Sequence, residues 1–399
     1  MIETRFKDTE VGRIPEEWEV STIENIAKIT TGSQNTQDNE ENGVYPFYVR
    51  SQQVERINKW IFDTEGVVTA GDGVGTGKVF HYVNGKFGLH QRCYLIHDFA
   101  STMTARFFFW IFSNNFYERV HSMTAKSSVD SVRREMIADM QIPIPPMSEQ
   151  TRIATSLSNI DALMSELGKL IEKKVAIKQG AMQQLLTGKK RLKGFTEPWV
   201  EKKLGEIGRT YSGLTGKTKS DFGEGNALYI TFLNVLNNPI LRPELFESVK
   251  VGEGERQNHA VKGDLFFNTS SETPEEVGIC SILNHTVDNL YLNSFCFGYR
   301  LMDNDVAPEY LAYYFRSKEG RKLMTLLAQG VTRFNLSKSA FNNASISIPP
   351  TKDEQITIAS VFRKMDEEIS ALEAKREKYT AIKQGMMQQL LTGKIRLID

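Results

Sequence analysis

Residues Ala176–Leu192 read AIKQGAMQQLLTGKKRL, and residues Ala381–Leu397 read AIKQGMMQQLLTGKIRL. Extended backwards, Glu149–Leu192 lies over Glu354–Leu397 without a gap at a constant offset of 205, with 24 identities in 44 positions. Such a repeat constrains the fold before anything else does, because the same element must be built twice. The repeat continues upstream, where MQIPIPPMSEQ (Met140–Gln150) answers ASISIPPTKDEQ (Ala344–Gln355). Near the start of each half, Trp18, Ile23, Ile26 and Gly32 match Trp199, Leu204, Ile207 and Gly213 at an offset of 181. The order is therefore globule, helix, globule, helix, with shared edges. Between Gly32 and Ile142 no convincing alignment joins the two interiors, which suggests one frame carrying two different readers.

Both repeated tails read as helices. Ile153, Leu157, Ile160, Met164, Leu167 and Ile171 step by four and three residues, as do Ile358, Phe362, Met365, Ile369 and Leu372. That spacing is the a/d stripe of a coiled coil. A Pro-Pro pair precedes each first turn, with Glu149 and Glu354 just inside it. Gly188 and Gly393 stand at the C-terminal stops, followed by basic residues that suit the negative helix end. About 40 residues at ~1.5 Å each give a rod of ~60 Å. The stripe slips near Val175 and Thr380, and Gly180 and Gly385 interrupt both helices at one place, so a local irregularity is expected there. The narrow, matching stripes favour an antiparallel pairing of the two helices over packing of each on its own globule. In that arrangement the end of the second helix lies beside the start of the first globule.

Composition narrows the class. A chain of 399 residues with 40% hydrophobic and 25% charged residues suits a soluble protein of more than one domain. It has no apolar run long enough to span a membrane, and its charged start MIETRFKDTE does not read as a signal peptide. Cys93, Cys280 and Cys296 have no paired spacing, which points to a reducing cytoplasm rather than a disulfide framework. Charge is balanced overall but uneven: residues 1–148 carry 15 Lys+Arg against 19 Asp+Glu, residues 149–192 carry 8 against 4. Any contact with nucleic acid must come from local patches or be shared with a partner.

Motifs of catalysis are not found. AGDGVGTGKVF (Ala70–Phe80) resembles a phosphate loop, but Asp72 stands where the pattern needs Gly and Val79 where it needs Ser or Thr. A hairpin with glycine-permitted turns is the expectation. His81, His90, His97, His121, His259 and His285 have no metal-ligand spacing, so no metal site is expected. No nucleophile elbow, methyltransferase tetrapeptide or cofactor loop is evident. RFFFWIFSNNF (Arg106–Phe116) and PEYLAYYFRS (Pro308–Ser317) read as helices of the core.

Taken together, the paired W-x4-[IL]-x2-I starts, the IxIPP…EQ ends and the KQGxMQQLLTGKxRL tails resemble the specificity subunit of type I restriction-modification systems across essentially the whole chain. The resemblance implies an α/β (α+β) fold with two target recognition domains (1–147 and 193–352) and two conserved helices (148–192 and 353–399). The helices would form an antiparallel coiled coil in a pseudo-twofold tandem repeat. It implies a non-catalytic subunit in which each domain reads half of a bipartite, asymmetric double-stranded DNA target. The partners would be two methyltransferase subunits and, through them, restriction/translocase subunits. S-adenosylmethionine, ATP and Mg would be bound by those partners and no cofactor by this chain. Rival readings are a fused enzyme and a protein-binding adaptor.

Candidate DNA contacts are polar stretches whose side chains present donors and acceptors to base edges. In the first globule they are Arg50, Ser51 and Gln52 in YVRSQQ, Lys78 in the glycine-rich loop, Gln91 and Arg92 in LHQRCY, and Lys126, Ser127, Ser128 and Arg133 in AKSSVDSVRRE. In the second they are Thr215 and Lys217, Asn268, Thr269 and Ser270, Asn293 and Ser294, and Thr332, Arg333 and Asn335. The acidic stretch QDNEENG (Gln37–Gly43) would repel phosphate and is expected to lie apart from DNA.

Overall fold

The computed structural model describes residues 4–124 and 131–398. The chain divides into two compact units, residues 1–168 with 374–399, and residues 169–373. Each unit thus holds one globule, the first part of one long helix and the last part of the other.

In the first unit, strands β1 (Lys28–Thr31), β2 (Tyr45–Tyr48), β3 (Glu55–Ile57), β4 (Phe62–Ala70), β5 (Phe80–Leu89) and β6 (Cys93–His97) form one sheet in the order β1-β6-β4-β5-β2-β3. The β4–β5 connection is the expected hairpin, with Thr69 opposite Phe80. Helix α1 (Ala105–Thr124) covers the sheet. Its aromatic residues recur every fourth position, so Phe108, Phe112 and Phe116 stack along one face, with ring centroids 5.2 and 4.4 Å apart, and are wholly buried. They are core, as the sequence predicts.

In the second unit, β7 (Gly208–Ser212), β8 (Phe222–Ile230), β9 (Phe246–Val249), β10 (Leu265–Asn268), β11 (Cys280–Ile282), β12 (Leu290–Leu292) and β13 (Cys296–Leu301) form two sheets, β7-β13-β10-β11 and β9-β8-β12. Helix α3 (Pro308–Arg316) buries Tyr310, Tyr313 and Phe315. Ser317 ends it and caps α4 (Lys318–Leu327) by accepting from Gly320 N.

The long helices are α2 (Met147–Leu185) and α5 (Lys352–Leu390). Both run unbroken through Gly180 and Gly385, where an irregularity was expected. A glycine costs about 1 kcal/mol in a helix interior, too little to break one whose two ends are held by packing. In each unit the helix segments lie antiparallel. Asp161 pairs with Lys383 and Glu149 with Arg396 in the first unit. Lys178 pairs with Asp366 and Arg191 with Glu354 in the second. These are the same two ion pairs, made once by each copy of the repeat. Of the predicted stripe, Ile153, Leu157, Ile160, Leu167, Ile171, Ile358, Phe362 and Ile369 are buried, and Met164, Met365 and Leu372 half-buried. The stripe is not a pure helix–helix seam: Ile153 and Leu157 belong to the first globule's core, and Ile358 and Phe362 to the second's. The helix starts therefore also pack on their own globules.

The shared edges of the repeat now have a physical reason. The strand after each tryptophan pairs antiparallel with the IxIPP strand, Glu19–Thr22 with Gln141–Ile144 and Val200–Lys203 with Ser345–Ile348. Gln150 donates to the carbonyls of Pro145 and Thr102 and accepts from Thr104 N. Gln355 does the same with Pro349, Asp305 and Ala307. Glu149 is buried under Arg396, Trp18 and the Leu397 amide. Glu354 is buried under the Arg191 fork at 2.7 Å on both oxygens. The EQ and GKxRL motifs are thus two halves of one clamp.

Candidate nucleic-acid interface

Three of the candidate stretches in the first unit, and the described end of the fourth from Ser131 on, converge at one end of its sheet. The turn between β5 and β6 is pinned to β2 by His90 N donating to Tyr48 O. It is pinned to the β4 end by Gly71 N donating to Arg92 O, 2.8 Å, and Val132 N in turn donates to Gly71 O, 2.7 Å. Gly71 is fully enclosed: a Cβ there would lie 2.8 Å from Arg92 O. Asp72, next in the chain, receives Arg50 on one oxygen at 2.6 Å and Arg92 on the other at 2.7 Å. Partial burial works against its ionisation, but the bonds and charges of the two arginines outweigh this and hold its carboxyl below the usual carboxylate range. Beneath them His90 is buried and its Nδ1 accepts Arg92 N at 3.1 Å. Burial first, then the Arg50 charge, push its pKa down.

Around this cluster Gln52 donates to Lys78 O, and Ser51 O faces His81 Nε2 at 2.9 Å. Lys78 lies over the Tyr117 ring at 5.4 Å. Ser51, Gln52, Lys78, Gln91, Arg92 and Arg133 are exposed. Lys126, Ser127 and Ser128 lie outside the described residues. The acidic stretch Gln37–Gly43 begins close to this cluster. Its first turn is capped by Asp38 on Asn35, and Asn35 accepts from Gln91.

The second unit repeats the frame bond for bond. Asn293 N donates to Ile230 O, Thr269 N to Phe295 O at 3.0 Å, and Leu336 N to Thr269 O at 2.8 Å. Leu89 and Leu292 therefore correspond, as do His90 and Asn293, Arg92 and Phe295, Cys93 and Cys296, Gly71 and Thr269, and Asp72 and Ser270. Gly32 and Gly213 pack against the same turn: an added Cβ would meet Leu89 O at 2.0 Å and Asn293 O at 1.9 Å. Burial pushes both equivalent thiols, Cys93 and Cys296, up to about 12, which makes them inert fillers of the core.

On this second frame the side chains differ. Arg333 reaches Ser270 Oγ with Nε and a terminal nitrogen, 3.3 and 3.1 Å. Ser270 pairs with Asn335 across a short ladder. Phe295 is 59% exposed. Ser294, Thr332, Arg333 and Asn335 are exposed, while Thr269 and Ser270 are half-buried. Asn268 and Asn293 require correction as contact residues. Asn268 is fully buried, its amide spent on Ser270 O, Glu276 O and Ile279 N. Asn293 is 5% exposed and holds Ile230 O and Phe295 N. Both shape loops rather than reach a ligand. Lys217 is bound to Glu255 at 2.6 Å and to Lys250 O, and Thr215 to Gln257, so these side chains are already held within their own loop. Asp72 is a site residue that is not among the sequence candidates, because its partners Arg50 and Arg92 lie in separate segments of the chain.

Among the described residues no group of three His, Cys, Asp or Glu is placed to hold a metal ion, and no helix is long and apolar enough to cross a membrane.

The family model described as type I restriction modification DNA specificity domain matches residues 15–178 and again 196–382. The type I restriction enzyme EcoDI specificity subunit of Escherichia coli is 28% identical over 176 residues, 44% of this chain and 38% of that protein. The putative type I restriction enzyme MjaX specificity subunit of Methanocaldococcus jannaschii is 23% identical over 99% of this chain and 97% of its own length. The crystal structure of the type I restriction-modification S subunit from M. genitalium matches 94% of this chain and 96% of its own, with a TM-score of 0.66 at 15% identity, a likeness that speaks for the fold. With both globules and most of both long helices inside two matched domains in tandem, the chain belongs to the family of type I restriction modification DNA specificity domains and is a specificity subunit of such a system.

Proposed function

We propose that each unit reads one half of a bipartite, asymmetric double-stranded DNA target and that the chain performs no chemistry itself. Methylation of adenine and cleavage belong to partners: two methyltransferase subunits, which bind S-adenosylmethionine, and restriction/translocase subunits, which use ATP and Mg and join through the methyltransferases. The site of action is the cytoplasm.

The observation that carries this reading is the duplicated loop frame with unlike side chains. A backbone scaffold kept bond for bond, with Arg50, Asp72 and Arg92 on one copy and Ser270, Arg333 and Phe295 on the other, is what two readers of different half-sites require. Docking of two like partners is supported by a second pattern. Ile177 and Ile382, 48% and 40% exposed, lie with Gln179, Gly180 and Gln183 and their repeats Gln384, Gly385 and Gln388 on solvent-facing helix surface. Identity at positions that this chain does not use for packing fits two equal docking faces.

The test is single-molecule sequencing of modified adenines in a host genome with and without this gene. A bipartite, non-palindromic motif that disappears with the gene is expected. An unchanged methylation pattern defeats the proposal.

A further inference from the structure

Arg50 and Arg92 each give one terminal guanidinium nitrogen to a separate oxygen of the same carboxylate, and Asp72 is only 22% exposed while Arg50 is 38% and Arg92 60%. A guanidinium has five N–H donors in a planar fork. The bond to Asp72 uses one and leaves an edge for a further partner. Exposed ion pairs of this kind add little stability. Their effect is to fix long side chains in one geometry, which lowers the ordering cost of binding. The carboxylate does not make the patch acidic, since two cations surround it. In the second unit the position of Asp72 holds Ser270 and that of Arg92 holds Phe295, and the segment corresponding to Arg50 turns into a short helix at Phe232. A phenyl ring suits the methyl group of thymine, and a paired arginine edge suits O6 and N7 of guanine.

We infer that the frame positions 72 and 92 in the first unit and 270 and 295 in the second determine specificity, with Asp72 a positioning residue that sets Arg50 and Arg92 on guanine edges of the first half-site. The inference rests on the DNA-reading function proposed above. It assigns different chemistries to equivalent places: two arginines held by a carboxylate on one side, a ring beside a single arginine on the other.

The experiment uses the full chain assembled with its methyltransferase subunits and maps methylated adenines on a random-sequence DNA library. Wild type, Asp72→Asn, Arg92→Ala, Arg92→Lys and Phe295→Ala are compared. Asp72→Asn and Arg92→Ala relax guanine positions of the first half-site, with discrimination falling about ten- to a hundredfold at a position, while the second half-site stays as in wild type. Arg92→Lys stays relaxed, because an ammonium keeps the charge but not the fork. Phe295→Ala relaxes only the second half-site. The unaltered half-site in each variant reports that the protein is folded. The inference is overturned by an unchanged first half-site, by relaxation at positions without guanine, or by uniform weakening across all sequences, which marks a phosphate contact. A wild-type complex that shows no bipartite motif at all defeats the DNA-reading function instead.

Discussion

At the residue scale, the two clamps and two histidines, His90 buried and His81 half-buried, make separate, measurable contributions. Glu149 is fully buried and the side chain of Arg396 only 7% exposed. Removing the arginine strands a buried carboxylate, so Arg396→Ala should cost the first unit about 3–5 kcal/mol. Arg191→Ala should act in the same way on the second unit, where Glu354 is 1% exposed. Urea unfolding of each variant, followed by hydrogen exchange of the two units, checks both. His81 and His90 have pKa values pushed down, chiefly by burial, so the folded first unit keeps them neutral. The unfolded chain binds protons near pH ~6.5. Below that pH the unfolded state takes up more protons than the folded one, and stability falls as pH falls. The depressed carboxyl of Asp72 acts lower, its contribution being lost as pH drops through the carboxylate range. The first unit should therefore lose urea resistance between pH 7 and pH 5.5, and replacing both histidines with Gln should flatten that slope.

At the element scale, the turn that follows each long helix holds a glycine with left-handed backbone, Gly188 at φ +69° and Gly393 at φ +68°. Alanine in that conformation costs about 1–2 kcal/mol. The surroundings break the tie. A Cβ at 188 meets the Trp199 ring at 3.3 Å, whereas at 393 it meets Pro15 at 2.4 Å. Gly393→Ala should be the more destabilising of the two in thermal melts. Much of this architecture was legible because helix periodicity, proline starts and glycine stops are local signals. The tails announced themselves as repeats because the clamp uses the same Glu, Gln and Arg side chains in both units. The globule interiors could not be aligned for the opposite reason: their frame is kept by backbone bonds. Gly71 to Arg92 and Thr269 to Phe295 are one bond with four unrelated side chains, and a sequence carries no record of it. Asn268 and Asn293 looked like readers because polar loop residues and polar loop-holders have the same composition, and only burial separates them. The convergence on Asp72 was hidden because Arg50 and Arg92 come from separate segments.

At the scale of the whole molecule, the division into units matters more than the order of the chain. The helix register is a property that insertion can alter without touching either globule. Seven residues added after Gly168 and seven after Glu373 extend each rod by about 10 Å and return it to within about 20° of its phase. On the proposed function this lengthens the unread spacer by about three base pairs at ~3.4 Å each. Methylation mapping of that variant checks the expectation, and a spacer of unchanged length refutes the helices as its ruler. Residues 374–399 complete the unit to which the first globule belongs, and this has a consequence for biosynthesis. The ribosome delivers residues 1–168 first but withholds their closing piece until residues 374–399 are made. During that interval the apolar faces of Ile153, Leu157 and Trp18 await Leu390 and Leu391. A chain that stops before residue 374 would therefore leave the lobe made earliest without its closing piece.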